Sequence, residues 1–212
     1  MISAKEALRR LRDGNLRFVA NDCLGDAAIS QARRTEATQG QSPFAIILGC
    51  SDARVPAELV FDQGIGDLFV IRVAGNIVAP SLIGSVEFAA SSFNTPLVVV
   101  LGHTNCGAIY TTLKELLNPG QTGSENLKSI VNRVRPSVEG LLKTDLRHNH
   151  EKLIASAVRS NVLASVNQLR NGSKILEDLL STQDFLIVGA EYNLETGMVD
   201  FFEGVGDLLD DE

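Results

Sequence analysis

Two short stretches of the 212-residue sequence carry residue types that do chemistry, "CSDAR" at 50–54 and "GHTNCGA" at 102–108. Between them they offer two thiols (Cys50 and Cys106), an imidazole (His103), and a carboxylate (Asp52) two residues from a guanidinium (Arg54). Two thiolates and an imidazole are soft to borderline ligands, which suit Zn²⁺ better than Mg²⁺ or Ca²⁺. His103 and Cys106 stand three apart at a strand-to-helix turn, so both can face one point. Taken singly, a Cys-x-Asp or a histidine after a strand is an ordinary packing or capping feature. Together, each flanked by glycine and each ending an apolar run, they read as a metal centre.

Charge counting sharpens that reading. Zn²⁺ with two thiolates and a neutral imidazole is neutral overall and keeps one tetrahedral position free. Three protein ligands and a water make the catalytic pattern for zinc, whereas four protein ligands make a closed structural site. Asp52 is the ambiguous fourth candidate. As a ligand it would exclude water and weaken the pull on a water proton. Held by Arg54, whose planar fork grips a carboxylate through two N–H groups, it would leave that position to water. Zinc lowers the pKa of bound water to about 7. The cluster therefore reads as a hydroxide generator with a carboxylate gate, while a surface ion pair remains the plain alternative for Arg54.

These groups converge only if the runs before them are neighbouring strands. "FAIILG" (44–49), "LVVVLG" (97–102), "LFVIRVA" (68–74) and "FLIVGA" (185–190) are short apolar runs, the pattern of strands covered on both faces. Helical spacing predicts helices over 4–19, 81–93 behind Pro80, 107–117, and about 149–169, the last stopping at Asn171-Gly172. "MVDFFEG" (198–204) alternates and predicts a half-exposed edge strand. Residues 21–42 are polar and mixed, and 119–147 are loop-rich and then helical, with no functional account. The alternation predicts one α/β domain over 1–212, a mainly parallel central sheet with flanking helices and a C-terminal edge strand. In such a sheet, ligands bind beyond the carboxyl ends of the strands, where the strand order reverses. Both motifs lie at such ends.

The totals agree with this class. A hydrophobic share of 44% and a charged share of 21% are those of an ordinary globular chain. A net charge of -7 argues against a nucleic-acid partner. No run approaches the roughly 18 apolar residues that span a bilayer. The charged amphipathic start gives no expectation of a secretory signal. Three cysteines cannot all pair, so reduced thiols or ligands are expected. The cytoplasm is the expected location, with an organelle or microcompartment left open. The acidic end "DLLDDE" reads as a solvated tail.

"CSDARVP" and "GHTNCGA" closely resemble the two zinc motifs of the β-class carbonic anhydrase family, and "GDLFVIRVAGN" (66–76) resembles the segment between them. The similarity runs over about 8–202. It implies zinc held by Cys50, His103 and Cys106, and a catalytic dyad of Asp52 and Arg54. The reaction implied is reversible hydration of CO2 to bicarbonate and a proton. In some members of the family the aspartate binds zinc in a closed, inactive state. The resemblance also implies a homodimer or homotetramer, with a helical arm over 1–40 embracing a neighbouring subunit. Two features depart from the family. The tryptophan of its regulatory bicarbonate pocket has no counterpart, since the chain has none, although Arg72 and Tyr192 are present. Gln63 lies near the position of a glutamine that binds bicarbonate in many members, and Gly64 competes for that register.

The remaining candidates divide between chemistry and structure. Val55 is a candidate for an apolar CO2 pocket or a core valine. Gly49, Gly102 and Gly107 read as turn glycines, with Gly107 a candidate to expose its N–H to the site. Arg72 and Asn76 straddle a turn at Ala74-Gly75 and read as structural hydrogen-bonding residues. "HNH" (148–150) reads as a helix start on the surface, and Cys23 has no evident partner. Two readings stand beside CO2 hydration. One is a zinc hydrolase acting on carbonyl sulfide or carbon disulfide. The other is a non-catalytic scaffold whose metal Asp52 closes.

Overall fold

Continuous apolar runs offer water no polar face, so they fold where layers cover them on both sides. In the computed structural model, which describes residues 2–120 and 122–206, β1 (Ala45–Gly49), β2 (Leu68–Arg72), β3 (Leu97–His103), β4 (Leu186–Tyr192) and β5 (Val199–Glu203) form one sheet ordered β2-β1-β3-β4-β5. The first four are mutually parallel, and β5 closes the edge antiparallel to β4. The chain steps from β1 to β2 on one side and returns to β3 on the other. The strand order therefore reverses between β1 and β3, where a crevice opens at the carboxyl ends. The acidic tail 207–212 lies outside the described residues.

The helices are α1 (Ala4–Ala20), α2 (Asp26–Ile29), α3 (Gln31–Ala37), α4 (Ala57–Val60), α5 (Pro80–Phe93), α6 (Gly107–Leu117), α7 (Glu125–Val138), α8 (His150–Asn171) and α9 (Lys174–Thr182). On one face of the sheet, Ala7, Leu8 and Leu11 of α1 meet Ile47, Val99, Leu101 and Val188. On the other, Val86, Val162, Val166 and Leu176 of α5, α8 and α9 cover Ile46, Leu48, Val98 and Val100. Each such valine, leucine or isoleucine contributes about 1.5–3 kcal/mol when fully removed from water. A third cluster lies beyond the strand ends, where Ile109 and Leu113 of α6, Val134 and Val138 of α7, and Leu153 and Ala157 of α8 surround Cys50 and Cys106. The segment without a functional account in the sequence thus supplies α7 as a wall of that end. Among the described residues, no helix is long and apolar enough to cross a membrane.

Two close approaches set the frame. A Cβ on Gly102 would lie 2.6 Å from Val162 Cγ2, so glycine lets α8 lie directly on β3. A Cβ on Gly14 would lie 1.8 Å from the Phe61 carbonyl oxygen, so α1 crosses the end of α4 at backbone distance. Beside it, buried Asn15 donates to the carbonyls of Val60 (3.0 Å) and Gly197 (2.8 Å) and accepts from the Val199 N–H (2.8 Å). Asn15→Ala leaves the buried Val60 carbonyl and Val199 N–H unpaired, at a cost on the order of 1–3 kcal/mol for each, and the half-buried Gly197 carbonyl loses its partner too. The expected result is a lower urea midpoint at unchanged slope, and a midpoint equal to wild type would show that Asn15 is no anchor.

Short α2 and α3 lie in the stretch read as polar and mixed. They bury no residue, so they leave no apolar period in the sequence.

Candidate metal centre

The register of the sheet decides what meets in the crevice. Gly49 of β1 pairs with Leu101 of β3, so Cys50 leaves its strand beside Gly102 and His103. After β3 the chain turns at Thr104 and Asn105. The Thr104 N–H donates to the Tyr192 carbonyl at 3.0 Å, and its hydroxyl accepts from the Leu194 N–H at 3.0 Å. Asn105 takes φ +56°, a left-handed conformation that Asn tolerates better than most residues. That reversal brings Cys106, the residue capping α6, back towards His103.

The ligand atoms of Cys50, His103 and Cys106 all lie within 4.8 Å of one another, and all three residues are buried. His103 Nδ1 is 2.9 Å from the Thr104 carbonyl, which accepts only if Nδ1 carries the proton. Nε2 then carries a lone pair, is buried, and has no hydrogen-bond partner. A buried acceptor without a partner is costly and calls for an explanation. Two thiols and a free imidazole lone pair at one point are the donor set of a borderline-soft divalent cation, so these residues fit zinc.

The hydrogen bond with Cys106 pulls the Cys50 thiol down to about 4, and the Gly75 N–H acts in the same direction against burial. The same bond and burial push Cys106 up. A coordinated cation would take the place of the thiol protons.

Asp52 stands at the rim, its Oδ2 3.9 Å from His103 Nε2. Arg54 grips it in the fork geometry, Nε to Oδ1 at 2.8 Å and Nη2 to Oδ2 at 2.7 Å, and the Arg54 N–H adds a bond to Oδ1 at 3.0 Å. These bonds from Arg54 hold the Asp52 carboxyl well below the usual carboxylate range. Its stabilising effect is therefore present above the unfolded pKa of about 3.9 and is lost only as pH falls through the lower folded value. Arg54 is exposed, so water screens that contribution.

Arg72 fastens the same loop from β2, Nε donating to the Cys50 carbonyl at 3.0 Å and Nη2 to the Asp52 carbonyl at 2.6 Å. Its planar fork spans the two carbonyls that bracket Ser51. The other sequence candidates have these surroundings. Gln63 spends its amide on the Phe61 carbonyl of its own turn, at 2.6 Å. Val55 is buried with Val60, Phe61 and Tyr192. Gly107 opens α6, with open space where a Cβ would be.

A cleft of about 660 Å³ runs out from the rim. Arg54, Thr104 and Asn105 line its inner part, with Tyr110, His150 and Glu151 also on its walls. His150 does start a helix, as its sequence suggests, and its ring also meets Tyr110 edge-on, with centroids 5.9 Å apart. Sequence reasoning missed this placement, because nothing in "HNH" says which cleft a helix start will face. It also missed Asn161 and Ser165, although polar residues one turn apart among Val158, Val162 and Val166 are a legible irregularity.

A family model described as "Carbonic anhydrase" matches residues 45–199. The carbonic anhydrase of Mycolicibacterium smegmatis is 39% identical over 202 residues, covering 95% of each chain. Carbonic anhydrase 2 of Mycobacterium tuberculosis is 36% identical over 210 residues, covering 95% of this chain and 94% of its own. Among solved structures, one of two tetrameric β-carbonic anhydrases from Sordaria macrospora superposes with a TM-score of 0.72 at 22% identity, over 80% of this chain and 85% of the other.

Proposed function

The chain belongs to the β-class carbonic anhydrase family, and from that premise we propose that it is a zinc enzyme interconverting CO2 and water with bicarbonate and a proton. We assign the metal to Cys50, His103 and Cys106, and an acceptor and its holder to Asp52 and Arg54. The observation that carries the reading is the buried, unpartnered Nε2 of His103 beside two buried sulfurs.

Zinc, when bound, supplies a Lewis acid that makes a water nucleophilic near neutral pH. The chain's own residues do the rest. Cys50 and Cys106 would bring two negative charges to offset those of a held cation, and neutral His103 would add none, so the site would keep little charge to repel an anionic product. With three protein donors, a small molecule would still have room beside the cation. Asp52 accepts a hydrogen bond from the reacting water and so fixes which lone pair faces the carbon of CO2. Arg54 occupies both carboxylate oxygens with N–H donors, which favours Asp52 as an acceptor at the rim over Asp52 as a fourth ligand. That arrangement also counts against the scaffold reading. The product proton leaves through the cleft that Arg54 borders.

The test is stopped-flow CO2 hydration on protein as isolated, after chelation, and after zinc is restored. The expected result is one zinc per chain, with activity lost on removal and regained on addition. A zinc-loaded protein with no rate above buffer would refute the proposal. Hydrogen sulfide release from carbonyl sulfide faster than CO2 hydration would move the substrate assignment.

We further propose a homodimer or homotetramer. The inner stripe of α1 is buried on its own sheet, so only the outer surface of the arm is left for a neighbour. Leu16, Leu24 and Ile29 of the arm and Leu59 of α4 stand exposed, and Arg17 and the Leu24 N–H, both bonded to Asp62, tie the arm to the end of α4. Free thiols, one of them exposed at Cys23, fit a reducing compartment such as the cytoplasm.

A further inference from the structure

The turn Ala74–Asn76, between β2 and α5, touches the metal centre through one bond, the Gly75 N–H donating to Cys50 Sγ at 3.4 Å. Gly75 sits at φ +72° and Asn76 at φ +40°, and a glycine can rotate its peptide planes at little cost. Within the turn, the Asn76 N–H donates to the Val73 carbonyl at 3.0 Å. The carbonyls of Gly75 and Asn76 are held from α8. Asn161 Nδ2 donates to the Gly75 carbonyl at 2.8 Å, and Ser165 Oγ donates to the Asn76 carbonyl at 3.0 Å. Both residues are buried, 2% and 3% exposed, on the stripe where α8 otherwise presents valines to the sheet. The Ser137 hydroxyl of α7, which donates to the Val134 carbonyl at 2.7 Å, lies 3.5 Å from Asn161 Oδ1.

An amide among core valines must recover the hydrogen bonds it gives up in water. Leucine or valine would fill such a position without that cost. Asn161 recovers its bonds from a turn whose N–H faces a ligand sulfur. We infer that Asn161 is a positioning residue for Cys50. By holding the Gly75 carbonyl, it aims the neighbouring N–H at the sulfur, where the bond draws off thiolate charge and fixes the direction of the sulfur lone pairs. Ser165 braces the same turn one residue on. Partners bonded directly to a metal ligand, as the Gly75 N–H is, typically change metal affinity or activity by about 10–100-fold, and Asn161 acts one link further out.

The inference rests on Cys50 being a metal ligand, and the experiment separates the two claims. Wild type, Asn161→Ala and Val162→Ala are loaded with cobalt, and zinc affinity is measured by competition with a chromophoric chelator. Val162→Ala opens the same helix face without touching the turn, so it controls for lost packing. The wild type is expected to show a thiolate-to-cobalt charge-transfer band. Asn161→Ala is expected to shift that band and to bind zinc up to about 10-fold more weakly, the low end of the range because Asn161 acts through Gly75, with Val162→Ala close to wild type in both. A wild type without the band would overturn the ligand reading, and this inference with it. A wild-type band that Asn161→Ala leaves unmoved, with zinc affinity unchanged, would overturn this inference alone. Should Asn161→Ala fail to fold, NMR of the cadmium-substituted wild type decides. Coupling between the metal and the Gly75 amide proton through sulfur supports the inference, and its absence refutes it.

Discussion

Asp52→Asn is expected to keep its zinc and lose most of its CO2 hydration, by roughly 10²–10⁴-fold, the range for removing one positioned proton acceptor. The metal should stay because none of the three proposed ligands is altered. The loop should stay because its fastenings are to the main chain of residue 52, from Arg72 Nη2 and from the Val55 N–H at 3.0 Å. What changes is the side chain. Arg54 offers its Nε and its main-chain N–H to one carboxylate oxygen and Nη2 to the other. An amide can accept on one side only, and its NH2 would face a guanidinium donor. The fork opens, and the acceptor next to His103 becomes neutral. Metal analysis with stopped-flow rates checks both halves, and near-normal turnover in a fully loaded variant would remove Asp52 from the mechanism.

Cys106→Ser should separate metal from fold. Cys106 is the N-cap of α6 and makes no side-chain capping bond. Serine is among the best residues at that position, so the start of the helix should not suffer. The hydroxyl, however, does not ionise as a thiol does, and the donor set falls from two thiolates to one. We expect less than one zinc per chain after dialysis and CO2 hydration near the buffer rate. The stabilisation zinc gives the native state should disappear as well. At free zinc about 100-fold above Kd, that stabilisation is about 2.7 kcal/mol. Melting curves with and without zinc should thus diverge for the wild type and coincide for the variant. Full zinc retention by Cys106→Ser would show that this sulfur is no ligand.

The parts of the fold legible in the sequence are those with one dominant physical signal. The runs 44–49 and 97–102 are apolar without interruption, and only a strand covered on both faces accommodates them. The stripe from Leu153 to Leu169 repeats at helical spacing, and α8 forms there. Where burial is absent the signal is absent, which is why α2 and α3 left no trace. Cys50, His103 and Cys106 could be grouped from sequence because the chemistry of their side chains is specific and each follows a strand. Gln63 resisted placement, since an amide serves a turn as well as a ligand.

Residue type and spacing by themselves determined the sheet, the kind of metal the ligands suit, and the fork available to Asp52. Tertiary structure decided which strands are neighbours, and so whether residues 50 and 103 meet at all. It also decided how the centre is held. Arg72, Asn161 and Ser165 act on main-chain carbonyls. Every residue carries such a carbonyl, so no sequence pattern can say which one a distant side chain will reach. That choice depends on where α8 lies over β3, and contacts between residues more than 80 positions apart set it.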